Sequence, residues 1–527
     1  MKSRFRPLKL GKGFSKFMSW SDGYVDGITY VHGYYKYLSP ALLRFVCMFA
    51  GLEPQTGGRI SYLELGYGQG ISINIHAAAT NGDYWGTDVN PTHVIGARQL
   101  AKASGADVLL LDDSFRELAA RDDLPDFDFI CLHGVWSWIS DDNRSVLLDI
   151  IRRKLRVGGT VYVSYNCLPG WAPIIPIREL MTLFMERSRG ASDTPEMIKR
   201  ATEFARDVLK AQPAYLTGSP VAAHHLDSMR SSHNYVAHEY LNRDWKLTSF
   251  AEVDSAFGTA KLSYVASARL LDNIDVFRIT PEGREVLDKI ADPILRESVR
   301  DHMVNARFRC DVFVKGKLQA SPENFRTAWL ETCFVLVIPR EDIPVEIRLP
   351  VGAVNLAGSP LEIVADHLYL ENYRPKAVHE LMQHRSLQNH SFEAIVDAMV
   401  MLVDSGYASP SQAPTGSTIA RCQKLNRYLL ERAMTSTDVD HLASPVTGGG
   451  IGVPHISQLF MNALIKGEKT VDQLADFVAN VIRTFDEDTK DDNQRSSQLR
   501  GSDEWLRSLA ESFLQKSLPM LKALMVI

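Results

Sequence analysis

Cysteine is scarce in this chain, with six residues among 527 and no pair spaced as Cys-x-x-Cys. Structural zinc sites and disulfide frameworks both depend on closely spaced or paired cysteines, so the pattern argues against either one. We therefore expect no metal site, and we expect the thiols to be buried in a reducing, cytoplasmic environment.

Long apolar runs are missing as well. A transmembrane helix needs roughly 20 consecutive apolar residues. The apolar stretch at 41–52 is shorter and is interrupted by Arg44, so it predicts a buried helix. The basic N-terminus is not followed by the apolar core of a signal peptide. The sequence thus predicts a cytoplasmic protein without a membrane span.

An excess of positive charge is also absent, since the formal net charge is −5 and the isoelectric point is near 6.3. Proteins that hold nucleic acid usually carry a basic field or a basic stripe. The first sixteen residues contain six basic and no acidic side chains, which we interpret as a solvated arm. We expect no nucleic-acid partner.

The hydrophobic residues that are present alternate between strand-like and helix-like patterns. This alternation is typical of βαβ units, and it predicts an α/β fold with a doubly wound, mostly parallel sheet. Two further strand-like segments are expected to complete the sheet around a helical insert. The five strand candidates are 60–65, 84–88, 106–111, 126–132 and 159–165, and the two later ones are 261–270 and 308–314.

Composition divides the chain into four parts. We expect an N-terminal helical cover, an α/β domain with a helical insert, a winged-helix-like middle domain and a mostly helical C-terminal domain. Their boundaries are placed at 1–59, 60–314, 315–410 and 411–527. The segment 411–418 has linker composition, and the glycine run Gly448–Gly450 is predicted to be a loop.

A glycine-rich turn follows the first strand in the sequence YLELGYGQG at 62–70. The strand ends near Glu64, and Gly66, Gly68 and Gly70 alternate into the next helix. Glycine tolerates positive φ and close approach of backbone to a ligand, so the turn predicts a binding site. The spacing is GxGxG and differs from the GxGxxG of dinucleotide enzymes.

Acidic residues follow the next two strands. Asp88, beside Val89, ends the second strand and can accept hydrogen bonds from both hydroxyls of a ribose. Asp113 ends the third strand before Ser114 and Phe115, a carboxylate and a ring that suit an adenine amine and base. Asp112 could serve instead by a one-residue shift, and Asp113 could alternatively be a helix cap.

The fourth and fifth strands end in aromatic and polar residues. The fourth is followed by His133, Trp136 and Trp138, and the fifth ends at Tyr165 and Asn166. In open α/β sheets, ligands bind outside the carboxyl ends of the strands, near the point where the strand order reverses. We therefore expect these strand ends to converge on one crevice.

Residues 60–171 resemble the class I methyltransferases, whose seven-stranded sheet binds S-adenosyl-L-methionine over the glycine turn. The motifs HGVWSWI, SYNCLPGW, NYVAHEYL, LSYVA and ASPVTGGGIGVP resemble bacterial methyltransferases with a methyltransferase regulatory domain. That group includes rickettsial protein lysine methyltransferases that act on outer-membrane protein B. The resemblance implies that the cofactor is held by Tyr30, Glu64, Gly66, Gly68, Gly70, Asp88, Val89, Asp113, Ser114, Phe115 and His133.

The acceptor is expected beside the fourth and fifth strands, with Trp136, Trp138, Tyr165 and Asn166 forming the catalytic channel. The two indoles either face the sulfonium or pack a lid over the cofactor. A lysine of a protein acceptor is the preferred target. The alternatives are a hydroxyl of a glycan or small molecule, with His133 as base, and a DNA-binding sensor. The sequence leaves the oligomeric state open, and a homodimer is compatible with it.

Overall fold

The computed structural model describes residues 31–53, 58–188, 194–215, 240, 242–488 and 502–527. Its largest element is a seven-stranded sheet. The strands are β1 (Ile60–Leu65), β2 (Gly82–Thr87), β3 (Val108–Leu111), β4 (Phe127–Leu132), β5 (Leu155–Asn166), β6 (Leu262–Ser267) and β7 (Phe308–Lys315).

The strand order in the sheet is β3-β2-β1-β4-β5-β7-β6. The neighbours from β3 to β5 are parallel, whereas β7 is antiparallel to both β5 and β6. The carboxyl ends of β1 to β6 therefore share one edge, and the order reverses between β1 and β4. The predicted fold class is confirmed, including the two later strands that complete the sheet.

Helices cover both faces of this sheet. They are α1 (Pro40–Phe49), α2 (Ile71–Ala79), α3 (Pro91–Ser104), α4 (Phe115–Ala120), α5 (Asp141–Lys154), α6 (Ile175–Arg187), α7 (Thr194–Lys210), α8 (Phe250–Thr259), α9 (Asp275–Arg278), α10 (Pro281–Leu287) and α11 (Pro293–Met303). The N-terminus of α3 shows why local sequence places these ends. The Asn90 side chain accepts from the Thr92 amide at 2.9 Å, and Pro91 occupies the first turn.

The middle region contains a three-stranded antiparallel sheet, a hairpin and four helices. In the sheet, β8 (Cys333–Leu336) lies between β11 (Lys376–Ala377) and β12 (Ala408–Pro410), and the hairpin is formed by β9 (Glu346–Leu349) and β10 (Gly352–Asn355). The helices are α12 (Pro322–Glu331), α13 (Pro360–Tyr373), α14 (Val378–Met382) and α15 (Phe392–Asp404). The winged-helix assignment stays a prediction, as do the four domain boundaries.

The C-terminal region is mostly helical, as the sequence predicted. It contains α16 (Gly416–Ala433), β13 (His441–Ser444), β14 (Gly449–Gly452), α17 (His455–Ile465), α18 (Val471–Asp488), α19 (Asp503–Ser512), a π-helical turn (Phe513–Ser517) and α20 (Leu518–Ala523). None of the helices in the described ranges is long and apolar enough to cross a membrane.

The prediction of a loop at 448–450 is right for Gly448, which lies in a turn, and wrong for Gly449 and Gly450. Gly449 and Gly450 pair with Ser444 and Ala443 in the hairpin of β13 and β14. A Cβ atom on Gly450 would lie 2.9 Å from the Tyr34 ring. These glycines are therefore explained by close packing of a strand against an aromatic side chain, which composition alone does not show.

Helix α2, which starts at the glycine turn, is enclosed by the C-terminal region. All of its residues are buried. The Arg421 guanidinium, on α16, donates to the carbonyl oxygens of Ala78 and Thr80 at the end of α2. In the predicted linker, the Gln412 amide donates to the Ala79 carbonyl at 2.8 Å. The C-terminal region is thus packed onto the first helix of the catalytic sheet.

Replacing Arg421 with alanine should destabilise the whole protein, because two buried helix-end carbonyls lose their donor. We expect the free energy of unfolding to fall by about 1–3 kcal/mol, measured by denaturant titration with near-UV circular dichroism. Arg427→Ala is the matched control, since Arg427 lies on the same helix and is exposed. Equal stability of the two variants would contradict this interface.

Candidate functional site

The glycine turn has the backbone conformation that the spacing predicted. The φ angles of Gly66, Gly68 and Gly70 are 74°, 57° and 72°, a region that disfavours every side chain except hydrogen. A Cβ atom on Gly66 would lie 2.6 Å from a methyl carbon of Val135. The turn therefore keeps its backbone bare at the carboxyl end of β1.

Asp88 fixes this turn from the end of β2. One carboxylate oxygen accepts from the Gly68 amide at 2.8 Å, and the other accepts from the Asn90 amide at 3.0 Å. The second oxygen also lies 3.0 Å from Nδ1 of His93. A carboxylate has about four lone-pair sites, so Asp88 can still accept from a ligand hydroxyl. Val89, which follows it, is half-buried.

The end of β3 is organised by a helix cap. The Ser114 hydroxyl accepts from the Glu117 amide at 3.3 Å, and the Glu117 carboxylate accepts from the Ser114 amide at 2.8 Å. Ser114 is therefore the cap of α4, a role that we had considered for Asp113. The Asp113 carboxylate pairs with Arg121 at 3.1 Å, and the Phe115 ring is half-buried beside it.

Glu64, near the end of β1, is a buried acid. Its carboxylate accepts a hydrogen bond from the Tyr62 hydroxyl at 3.0 Å. Burial, opposed by the hydrogen bond from Tyr62 and aided by the negative charge of Asp88, raises the pKa of Glu64 to about 8. The side chain therefore holds a proton at neutral pH, and a nearby cation would favour its release.

His133, at the end of β4, lies within a group of aromatic rings. Its ring centroid is 4.1 Å from that of Tyr35 and 5.9 Å from that of Tyr162, which is nearly parallel to it. Nδ1 lies 2.8 Å from the Tyr162 hydroxyl and 3.2 Å from that of Ser164. Burial, aided by the positive charge of Arg269, lowers the pKa of His133 to about 3.

Trp136 is buried at the turn after β4, and its place in the channel stays a prediction. Its indole is only 2% exposed and packs against Phe257 of α8, with ring centroids 5.1 Å apart. The Arg144 side chain covers it and donates to the Trp136 carbonyl at 3.0 Å. The residue serves the core beneath the sheet. Trp138, two positions later, is buried at the same turn, and its role in the channel stays a prediction.

The two polar residues at the end of β5 point to opposite faces of the sheet. The Tyr165 hydroxyl is fully buried and donates to Asp311 at 2.7 Å, so it is committed to the protein interior. Asn166 faces the other way. Its side-chain nitrogen is buried and has no hydrogen-bond partner among the described residues. Such a group needs a ligand to satisfy it, so Asn166 remains the better candidate.

Several residues of the crevice escaped sequence analysis. Tyr35, Tyr162, Ser164 and Phe308 surround His133, whereas the predicted Tyr30 lies outside the described residues. The period of two along β5 could have found two of these residues. Side chains two positions apart on a strand lie on the same face of the sheet, so Ser164 and Tyr162 share the face of Asn166.

Two family models match the chain. One is described as a methyltransferase domain and covers residues 63–159, from the glycine turn to β5. The other is described as a predicted methyltransferase regulatory domain and covers residues 232–315, which end with β7. Both matches agree with the family that the motifs suggested.

Relatives extend the similarity over the whole chain. An uncharacterized protein of Synechocystis sp. is 32% identical over 516 residues, which are 96% of this chain and 99% of that protein. An uncharacterized protein of Rickettsia prowazekii is 24% identical over 304 residues, which are 56% of this chain and 53% of that protein.

Among solved structures, PKMT2 from Rickettsia typhi has a TM-score of 0.65 at 18% identity, covering 94% of this chain and 99% of that chain. A second structure of PKMT2, in complex with AdoHcy, matches equally well. At this identity the likeness shows the fold. The family models and the full-length relative settle the family, and with it the cofactor. The chain belongs to the class I S-adenosylmethionine-dependent methyltransferases that carry a methyltransferase regulatory domain.

Proposed function

We propose that this methyltransferase modifies lysine side chains of a protein acceptor. The fold neighbour PKMT2 is a protein lysine methyltransferase, and the likeness extends through the C-terminal half of this chain. The chain continues for about two hundred residues after the catalytic sheet, which is the size of one or two further domains. Methyl transfer to a small molecule does not need domains of that size. This supports a macromolecular acceptor.

The observation that carries the proposal is the environment of His133. A hydroxyl acceptor needs a base whose pKa lies near the working pH. His133 has a pKa of about 3, is covered by Tyr35 and has Nδ1 engaged with Tyr162. It is therefore a poor proton acceptor at neutral pH, which disfavours the hydroxyl alternative.

A lysine acceptor removes the need for a dedicated base. Deprotonating lysine at pH 7 costs roughly 4–5 kcal/mol, from a pKa near 10.4. Burial in an aromatic crevice disfavours the ammonium form and reduces that cost. The rings of Tyr35 and Phe308 exclude water near His133 and support this desolvation.

The residues of the turn suit the cofactor as expected. The bare backbone of Gly66 to Gly70 would lie under the methionine and ribose parts, Asp88 would accept from a ribose hydroxyl, and Asp113 or Ser114 would face the adenine. The buried acid Glu64 would balance the cofactor's ammonium group. When bound, S-adenosylmethionine supplies an electrophilic methyl group next to the acceptor.

On the acceptor side, Asn166 and Trp138 stay the proposed contacts. The side-chain nitrogen of Asn166 is a donor, and it would hydrogen-bond a backbone carbonyl of the acceptor. The backbone of Asn166 is fixed on both sides. Its backbone N–H donates to the Ser137 hydroxyl at 2.9 Å, and its backbone carbonyl accepts from the Thr248 backbone N–H. The side chain is thus held by a rigid frame, which favours positioning of a reacting group.

The proposal is tested by incubating the enzyme with S-adenosylmethionine labelled in the methyl group and with cell lysate proteins. Acid hydrolysis of the labelled product should release methylated lysine. Label recovered only from glycan, from small molecules or as base-labile ester would contradict the lysine acceptor. The Asp88→Ala enzyme serves as the control for labelling that does not depend on the cofactor site.

Replacing Asp88 with alanine should weaken AdoHcy binding by about 1.5–3 kcal/mol, the range for losing a charged hydrogen-bond partner. Isothermal titration calorimetry measures the effect. The matched control is Asp83→Ala, at the opposite end of β2, where the carboxylate is exposed and pairs with Arg59. If folded Asp88→Ala binds as tightly as the control, the ribose assignment is wrong.

Cofactor binding should release a proton from Glu64. Its pKa of about 8 means that it is protonated in the free enzyme at pH 7, and an adjacent ammonium favours the ionised form. Affinity should therefore rise with pH, by up to tenfold per unit between about pH 6 and 7. Calorimetry in buffers of different ionisation enthalpy counts the proton. Glu64→Gln should abolish its release, and release that persists in this variant would exclude Glu64.

The pH–rate profile should contain no inflection from His133. Because its pKa is about 3, the imidazole is neutral above about pH 5. The rate should instead rise steadily from pH 6 to 8 as the acceptor amine loses its proton, in both wild type and His133→Gln. An inflection near pH 6–7 that disappears in the variant would favour the hydroxyl acceptor.

A further inference from the structure

Arg269 follows β6 at the edge where the cofactor crevice opens. Its guanidinium stacks on the Phe308 ring at 5.5 Å, and the edge of that ring faces His133 with centroids 5.8 Å apart. The positive charge of Arg269 also contributes to the lowered pKa of His133. Arg269 therefore lies on the side of the crevice formed by β5, β6 and β7.

Within the described part of the chain, no carboxylate contacts this guanidinium directly, although the negative charge of Asp272 acts on it from a distance. Among the described residues, Arg269 forms no ion pair, and its guanidinium donates no hydrogen bond. The nearby acids are already engaged. Asp272 pairs with Arg278 at 3.2 Å, and the Asp404 carboxylate accepts from the Leu270 amide at 2.6 Å.

An arginine in this position has a definite chemical preference. It is half-buried, so part of its hydration is lost, and among the described residues no carboxylate hydrogen-bonds its donors in return. Its planar fork of donors matches the geometry of a carboxylate, which it can bind through two parallel hydrogen bonds. The aromatic ring beneath it holds the fork in one orientation.

We propose that Arg269 forms a carboxylate-binding subsite in the crevice, beside Phe308. The carboxylate has two sources, the methionine end of the cofactor or an acidic side chain near the methylated residue of the acceptor. The first source requires only that the protein belongs to the S-adenosylmethionine-dependent methyltransferases. The second rests on the proposed protein acceptor.

The first arm of the test measures binding of AdoHcy and of its decarboxylated analogue by calorimetry. If the cofactor supplies the carboxylate, Arg269→Gln should weaken AdoHcy binding about 10- to 100-fold and leave the analogue unaffected. Arg269→Lys should lie between them, because it keeps the charge and loses the fork. Arg326→Gln is the matched control and should bind AdoHcy like wild type, because exposed Arg326 also stacks on a phenylalanine ring, that of Phe392 in the middle region. Thermal melting checks that every variant is folded.

The second arm uses an array of lysine peptides in which the residues flanking lysine are glutamate or glutamine. If the acceptor supplies the carboxylate, wild type should favour the glutamate peptides, and Arg269→Gln should lose this preference with unchanged AdoHcy binding. Unchanged AdoHcy binding together with an unchanged peptide pattern overturns the subsite.

The two proposals fail separately. If no lysine peptide is methylated and Arg269→Gln weakens AdoHcy binding, the lysine acceptor is contradicted and the subsite stands. If no peptide is methylated and AdoHcy binding is unchanged, both are contradicted.

Discussion

The enclosure of helix α2 is the constraint on which the rest of the molecule depends. A helix at the surface of a sheet normally keeps a polar face in water, but α2 has none and carries polar side chains inside the protein. Buried polar groups need partners. Ser72 accepts from the Tyr35 amide, Asn74 donates to carbonyl oxygens at its own turn and on α3, and His76 lies 3.1 Å from the Tyr34 hydroxyl. The Ser72 and His76 side chains of the helix that begins at the glycine turn therefore have these partners only when the N-terminal segment lies against it.

The same segment joins the C-terminal region to the crevice. The Tyr34 hydroxyl accepts from the Gly450 amide at 2.8 Å, while the next residue, Tyr35, covers His133. Two consecutive residues therefore contact the C-terminal hairpin and the histidine at the end of β4. Because Gly450 has no side chain, the Tyr34 ring can approach the strand closely enough for this bond. The C-terminal region consequently shapes the catalytic site through packing, in addition to any part in choosing the acceptor.

Local signals were the ones that sequence analysis predicted well. These signals depend on neighbouring residues alone, so they can be predicted without knowledge of the fold. They are the positive φ of the glycines, the Asn-Pro pair at the start of α3 and the spacing to Asp88. The burial of Trp136 is different, because it depends on α8, more than a hundred residues away. The direction of Tyr165 depends on its alternation with Asn166 along β5 and on the partner strand. Sequence analysis did not single out Tyr35, because only the course of the N-terminal segment over the end of β4 brings this ring to His133.

The regulatory-domain match has a structural meaning, since residues 232–315 include the last two strands of the catalytic sheet. On β7, Arg309 pairs with Asp311 at 2.9 Å and Asp301 at 2.6 Å, and the Tyr165 hydroxyl of β5 donates to the same Asp311. Burial raises the pKa of Asp301 to about 6, against the opposing effect of the charged Arg309. The ion pair between Asp301 and Arg309 therefore forms at neutral pH. Removing one partner from such a buried cluster leaves a charge uncompensated, which makes the register between β5 and β7 costly to change. That register places Asn166 directly opposite Phe308. The segment named for regulation therefore fixes Phe308 against Asn166, on the side of the crevice that we propose for the acceptor.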